Sequence, residues 1–131
     1  MGFYPQSSFE KGSLAMLKHT TDKGTVTISS AVFTNITGAA ATSCFGVKGM
    51  ADRSMTDGIV HLLRREAMGK GVKVTYNEDQ SISVELHIIV DNGVNIPVLS
   101  DSITNQVRYI VEKSTGVKVA EVEVFVDSLI L

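Results

Sequence analysis

The side chains that could do chemistry are few in this chain of 131 residues, and they lie far apart in the sequence. Its three histidines are His19, His61 and His87, and its one cysteine is Cys44. A zinc site needs several such ligands at short, regular spacings, and no two of these residues are spaced in that way. The sequence therefore predicts neither a metal site nor a bound cofactor.

Cys44 follows Val32, Ile36 and Ala40 at the spacing of one helical face. Burial on such a face disfavours the thiolate, which is the reactive form of a cysteine, and favours a small core residue. A lone cysteine cannot form an internal disulfide, and residues 1 to 15 contain no apolar run typical of a signal peptide. Both features fit the reducing cytosol, so we expect a cytoplasmic protein.

Two carboxylates, Glu121 and Glu123, are the best sequence candidates for a catalytic pair, because residues two apart in a strand share a face. Asp127 continues the same pattern opposite a row of valines, which is typical of ordinary solvent-exposed charges. No Gly-x-Ser-x-Gly motif and neither of the common glycine-rich nucleotide-binding motifs is present. Because the reactive groups lie on separate predicted elements, we expect them not to converge, and we predict no enzymatic activity.

One short motif is typical of a nucleic-acid contact. Gly46-Val47-Lys48-Gly49 is a G-x-x-G sequence with a basic residue, and KH domains clamp a nucleic-acid backbone with such a loop between two helices. The net charge of −2 and the acidic C-terminal half disfavour phosphate binding. A KH-like RNA-binding module that uses Gly46, Lys48 and Gly49 is therefore the alternative hypothesis, and nucleic acid is not the expected partner.

Charge is distributed unevenly along the chain. Residues 48 to 73 contain six basic and three acidic residues, whereas residues 78 to 131 contain nine acidic and three basic residues. Such asymmetry is typical either of solvated surfaces or of complementary surfaces that steer association. The candidate partner-binding residues in the basic segment are Arg53, Arg64, Arg65 and Lys70.

The pattern of apolar residues predicts the elements that must position these groups. Residues 24 to 28 are β-prone, Ser29 or Ser30 can cap a helix over residues 30 to 45, and a second, shorter helix is predicted over residues 54 to 66. Alternating apolar residues predict an antiparallel hairpin over residues 72 to 76 and 82 to 90. Pro97 begins another helix, Gly116 ends it, and the valines of residues 122 to 126 predict a third long strand.

The resulting order, β-α-(α)-β-β-α-β, predicts an α+β two-layer sandwich with a three- to four-stranded sheet and helices on one face. Residues 1 to 23 show no periodicity and are predicted to be a disordered tail, and residues 24 to 131 one domain. Met16 begins a stretch typical of a natural start, so residues 1 to 15 are interpreted as an added segment or an upstream start. No apolar run is long enough to cross a membrane.

Four stretches of the chain resemble the alkaline shock protein 23 family of Gram-positive bacteria. They are residues 36 to 51 (ITGAAATSCFGVKGMA), 57 to 74 (DGIVHLLRREAMGKGVKV), 82 to 93 (ISVELHIIVDNG) and 107 to 126 with their Ser-Thr-Gly ending. The compact form and the segment LLRRE make the chain similar to the short, YloU-like branch rather than to the stress-induced prototypes. The resemblance to the family covers the chain from about residue 24 to about residue 127.

This resemblance implies a small α+β domain of the envelope stress response, without established catalysis or cofactor and without catalytic residues to transfer. Some members are held at the membrane by a separate anchor protein. We therefore expect a cytoplasmic protein-interaction domain. Its expected partners are other proteins, including itself or a membrane-anchor protein, and any proximity to the membrane would come through a partner and without direct insertion.

Overall fold

The structure, a computed structural model, describes residues 8–10, 16–52 and 60–131. Within these residues the chain forms an α+β fold, as predicted from the sequence. The strands are β1 (Ser8–Glu10), β2 (Met16–Thr21), β3 (Gly24–Ser29), β4 (Val47–Met50), β5 (Val72–Tyr76), β6 (Ile82–Asp91) and β7 (Val119–Ile130). The helices are α1 (Ser30–Thr42), α2 (Ile96–Thr115) and a 3₁₀ helix (Arg65–Gly71).

Strand β6 is the centre of the main sheet. Its first half pairs with β5 in the predicted antiparallel hairpin, and its second half pairs with the short strand β4 along the same edge. On its other edge β6 pairs over its whole length with β7, in parallel orientation. A parallel pair needs a crossover, and α2 supplies it between β6 and β7.

The two long helices cover one face of this sheet and pack against each other. Pro97 lies in the first turn of α2, Asn95 caps that helix by accepting a hydrogen bond from the Val98 N–H, and Gly116 ends it with a φ of 73°. Helix α1 begins at Ser30 as predicted but ends at Thr42, three residues earlier than expected. The fully buried side chains between helices and sheet include Phe33 of α1, Leu86 and Ile88 of β6, and Ile103 and Val107 of α2.

A second, three-stranded sheet precedes α1, and the sequence did not predict it. Strands β1, β2 and β3 pair in chain order, and both pairs are antiparallel. Leu17 of β2 is fully buried and joins the core. The prediction of a disordered tail over residues 1 to 23 is therefore wrong for the strands Ser8–Glu10 and Met16–Thr21. The alternation was missed because its second buried position is a histidine, His19, between Lys18 and Thr20. Residues 1–7 and 11–15 lie outside the described residues.

The predicted helix over residues 54 to 66 is also wrong where the structure describes it. Residues 60–64 are extended: Leu62 forms an antiparallel bridge with Ala51, and the Leu63 N–H donates to the Met50 carbonyl at 2.8 Å. These contacts place the segment along the outer edge of β4. Only from Arg65 does the chain become helical, as a 3₁₀ helix. The segment satisfies backbone N–H and carbonyl groups by pairing with the edge of β4. This pairing is favoured over the helix that the spacing of its apolar residues predicts.

Candidate functional site

The open face of the main sheet, the side turned away from the helices, carries the largest described group of chemically active side chains. Alternation along β5, β6 and β7 turns every second residue to this side. The open face consists of Lys73, Thr75, Ser83, Glu85, His87, Glu121, Glu123, Phe125 and Asp127. It carries four carboxylates, one lysine and one histidine, and is therefore negatively charged.

His87 lies at the centre of this face, between two carboxylates. Its Nδ1 is 2.8 Å from Asp127 Oδ2, and its Nε2 is 3.1 Å from Glu85 Oε2. The side chains of His87, Glu85 and Asp127 are 16%, 31% and 25% exposed. Both contacts are hydrogen bonds at the same time only when the ring carries two N–H groups or when one carboxyl group carries the proton. We call these three residues the His87 cluster.

The imidazole ring of His87 is stacked on the ring of Phe125. The two ring centroids are 4.7 Å apart and the planes differ by 6°. His87 and Phe125 are register partners in the parallel pair of β6 and β7, so the rings stack across the two strands. Phe125 remains 38% exposed. The result is a flat aromatic pair surrounded by carboxylates.

The His87 cluster is poorly arranged for catalysis or metal binding. A histidine that acts as a general base needs a free ring nitrogen towards the substrate, but carboxylates engage both nitrogens of His87. The two carboxylates also lie at opposite nitrogens of one ring, so the three groups do not surround a common point. Among the described residues, no group of three or more histidine, cysteine, aspartate or glutamate side chains is placed to hold a metal ion.

Strand β7 is irregular at two positions, and the second irregularity positions Asp127. From Ile82 to Ser83 of β6, the register partner on β7 changes from Val119 to Glu121. From Ile88 to Ile89, it changes from Val126 to Ser128. Ala120 and Asp127 therefore have no register partner on β6, as is typical of the extra residue of a β-bulge, and we call the two irregularities bulges. The bulge at Asp127 leaves its side chain on the open face, in contact with His87.

The start of β7 is fixed by helix α2. The Val119 N–H donates to Glu112 Oε2 at 2.9 Å, and Arg108 Nε donates to the Val119 carbonyl at 3.3 Å. These two contacts occupy the backbone N–H and carbonyl groups of Val119. The regular part of β7 is the stretch 121–126 between the two bulges. In the part of the chain that the structure describes, no strand pairs with β7 on the side opposite β6.

The G-x-x-G motif does not form the loop that a KH-like module requires. Gly46 does adopt a positive φ, 101°, but Val47–Met50 form strand β4, and Gly49 is the register partner of Ile89. A Cβ at Gly49 would lie 2.6 Å from Leu62 Cδ1, so this glycine admits the neighbouring segment rather than a phosphate. Lys48 is exposed and lines a cleft between α1 and β4. The placement of the motif in a loop between two helices is wrong.

The four candidate partner-binding residues are only partly described. Arg64 is exposed at the end of the extended segment, and Lys70 is exposed on the 3₁₀ helix. Arg65 is the first residue of that helix, and its side chain lies outside the described part of the structure, as does the whole of Arg53. Their role in binding stays a prediction.

The other sequence candidates lie on different elements. His19 is buried in β2, His61 is exposed in the extended segment, and Cys44 is buried after α1, with its Sγ 3.6 Å from the Ala40 carbonyl oxygen. The interpretation of Cys44 as a small core residue is confirmed. The expectation that reactive groups do not converge is wrong for one histidine, because His87 meets Glu85 and Asp127.

Two ionisable groups at the β5–β6 turn and in the core have shifted pKa values. Hydrogen bonds from the Ser81 hydroxyl and the Ser81 N–H, at 2.5 and 3.1 Å, lower the pKa of Asp79. Burial raises the pKa of Tyr76, whose ring packs edge-on against Phe33 with centroids 6.1 Å apart. Both groups lie outside the His87 cluster, Asp79 in the turn of the hairpin and Tyr76 against the core.

Sequence reasoning missed Phe125 and the partnership of Glu85 with His87 and Asp127. The spacing of Glu85 and His87 indicates a shared face, and Glu121, Glu123 and Asp127 were predicted opposite the valines of β7. The position of Phe125 between Glu123 and Asp127 is the signal that could have placed it on the same face. The missing information was the identity of the strand beside β6 and its register. A parallel neighbour joined through α2 is a long-range pairing that neither strand encodes by itself.

The described residues also contain no helix that is both long enough and apolar enough to span a bilayer.

Comparison with known proteins identifies the family. Residues 18–131 match the model of the alkaline shock protein 23 family, described as having a cell envelope-related function. The chain is 32% identical over 110 residues to the uncharacterized protein YloU of Bacillus subtilis (strain 168), an alignment that covers 83% of this chain and 91% of YloU.

Two further relatives have similar coverage. The uncharacterized protein Spy1614 of Streptococcus pyogenes serotype M6 is 34% identical over 114 residues, which cover 86% of this chain and 93% of Spy1614. The uncharacterized protein YqhY of Bacillus subtilis (strain 168) is 30% identical over 115 residues, which cover 87% of this chain and 84% of YqhY. No solved structure matches the chain significantly. The chain therefore belongs to the alkaline shock protein 23 family, whose described function is related to the cell envelope.

Proposed function

We propose that this chain is a non-catalytic protein-interaction domain that serves the cell envelope from the cytoplasmic side, in an envelope stress response. The observation that carries the proposal is the open face of the main sheet. There the active side chains converge on an exposed, negatively charged surface, and both nitrogens of the only histidine among them are engaged. Such a surface offers charge and shape to a partner protein rather than a cavity to a substrate.

The second interaction surface in this proposal is the basic segment that contains Arg53, Arg64, Arg65 and Lys70. Arg64 and Lys70 are exposed, at the end of the extended segment and on the 3₁₀ helix, and so lie outside the acidic strand β7. Surfaces of opposite charge on one domain select partners by electrostatic complementarity and reject partners of like charge. Candidate partners are other proteins, a second copy of the chain, and a protein that anchors the domain at the membrane.

Crosslinking followed by mass spectrometry in the native host tests the proposal. Wild type is compared with the double variant Arg64→Glu, Arg65→Glu, and with Lys113→Glu, an exposed control on α2. We expect crosslinks to specific proteins with the wild type and the control, and loss of those near the basic segment in the double variant. Sedimentation velocity of the purified proteins reports self-association. The proposal fails if the wild type gives no specific crosslink and sediments as a monomer at every concentration.

A further inference from the structure

Strand β7 has a free edge over a short, regular stretch. Residues 121–126 lie between the bulges at Ala120 and Asp127, and on their other side they pair with β6. An unpaired strand edge presents backbone N–H and carbonyl groups that accept another strand. Because the bulges and the α2 contacts at Val119 limit this edge at both ends, it has room for only a short segment.

The side chains along this edge are acidic on the open face. Glu121 and Glu123 are exposed and alternate with Val122 and Val124, which are partly buried on the helix side. A second strand placed beside 121–126 would therefore bring every other side chain next to these carboxylates. Opposite charges at such cross-strand positions stabilise the pair, and like charges destabilise it.

Phe125 adds a recognition feature that charge alone does not provide. Its ring stacks on His87 across the two strands, so the stacking direction runs from β6 to β7. The opposite face of the Phe125 ring is consequently turned towards the side where an added strand would lie. Asp127 and Glu85 contact the two ring nitrogens of His87, so both nitrogens of the stacked imidazole are already engaged.

The chemistry of this surface favours arginine. A guanidinium group is planar, stacks on aromatic faces and forms two parallel hydrogen bonds to one carboxylate. The exposed face of Phe125, with Glu123 two residues before it on the same side of the strand, offers both contacts at one position. A lysine ammonium can also lie over an aromatic ring, but it lacks the planar group that stacks flat on the ring and binds one carboxylate through two parallel hydrogen bonds.

A second copy of the chain is a poor occupant of this edge. Two copies of β7 paired in antiparallel orientation would bring Glu121, Glu123 and Asp127 of one copy near the same carboxylates of the other. Like charges in adjacent strands disfavour that dimer. The acidic edge therefore discriminates between self-pairing and a basic partner.

We propose that residues 121–126 of β7 bind an extended, arginine-containing segment of a partner protein by strand addition, with one arginine stacked on Phe125 and hydrogen-bonded to Glu123. This inference rests on the proposed function and specifies the partner's chemistry. Main-chain hydrogen bonds to β7 supply affinity in this mode of recognition, and the alternating side chains supply specificity.

The test uses two synthetic peptides of about eight residues. In one, arginine alternates with threonine; in the other, glutamine replaces each arginine. Binding to the full chain is measured by fluorescence anisotropy, and amide hydrogen exchange locates the bound peptide. The variants are Glu123→Lys and Phe125→Leu, and the matched charge control is Asp101→Lys, an exposed position on α2. Circular dichroism checks that each variant is folded.

We expect the arginine peptide to bind, with new amide protection at alternate residues of 121–126. Glu123→Lys and Phe125→Leu should each weaken binding roughly tenfold or more, and Asp101→Lys should leave it within about twofold. The inference is overturned if the arginine peptide does not bind, if it binds without protecting β7, or if the glutamine peptide binds equally well. It is also overturned if the chain self-associates and Glu123→Lys abolishes that association.

The two proposals fail in different ways. If crosslinks in the native host map to the basic segment and the arginine peptide does not bind the chain, the strand-addition site is wrong and the interaction domain stands. If no specific partner is found and the peptide does not bind, both are wrong.

Discussion

The two faces of strand β6 have opposite characters, although their residues alternate along the same backbone. On the side of the helices, Leu86 and Ile88 are fully buried against residues of α1 and α2. On the open face, Glu85 and His87 remain partly exposed; Glu85 contacts His87, and His87 contacts Asp127 of β7. Residues on the helix side stabilise the fold by apolar burial. The polar contacts on the open face stabilise it only when their distances and orientations are right. Substitutions on the two faces should therefore differ in size and in mechanism.

The largest effect is expected on the helix side. Leu86→Ala removes a fully buried side chain from the middle of the core, and the free energy of unfolding should fall by about 2–5 kcal/mol because apolar burial is lost and a cavity remains. Urea denaturation followed by circular dichroism measures the change. A loss below about 1 kcal/mol would mean that the core relaxes into the cavity and that the contrast between the faces is weaker than described.

A smaller effect is expected at the centre of the open face. His87→Ala removes the contacts of the ring nitrogens with two carboxylates and leaves Glu85 and Asp127 without their shared partner, so the free energy of unfolding should fall by about 1–2 kcal/mol. Glu121→Ala, an exposed position on the same face, is the control and should change stability by no more than about 0.5 kcal/mol. Equal values for the two variants would contradict a cluster organised around His87.

The stacked pair should contribute less still. Phe125→Ala removes an exposed ring that contacts His87, and we expect a loss of about 0.5–1 kcal/mol. A double-mutant cycle with His87→Ala isolates the contact between the rings. The two losses should not be additive; if they are, the stacking seen across β6 and β7 has no energetic consequence.

The smallest effect concerns pH. The pKa of Asp79 is lowered in the folded protein, so its ionised form stabilises the fold at neutral pH, and this contribution is lost as pH falls below 3.8 and through the folded-state pKa. Asp79→Asn should remove that part of the acid dependence and leave the remainder unchanged. Chemical denaturation of both proteins at neutral pH and at about pH 3 measures it. If the stability difference between them is the same at both pH values, the hydrogen bonds from Ser81 do not favour the carboxylate.

Several elements could be predicted from local patterns because the physical signals are local. Alternation identified the β5–β6 hairpin and β7, and Pro97 and Gly116 marked the two ends of α2. Where a local signal competed with a long-range contact, the prediction failed. Leu62 and Leu63 have helical spacing, yet they pair with the edge of β4. The strand Met16–Thr21 was missed because one of its buried residues is a histidine, His19, which does not read as an apolar position in an alternating pattern.

The amino-acid sequence by itself determined the fold class, the family resemblance and the separation of apolar from polar faces. The faces could be predicted because a period of two or of 3.6 residues can be recognised from residues that are close together in the chain. The tertiary structure alone decided that β7 lies parallel beside β6 and that a bulge at Asp127 keeps its carboxylate next to His87. Register between strands that are far apart in the chain follows from packing of the whole core. The aromatic pair and its ring of carboxylates exist only after that packing is complete.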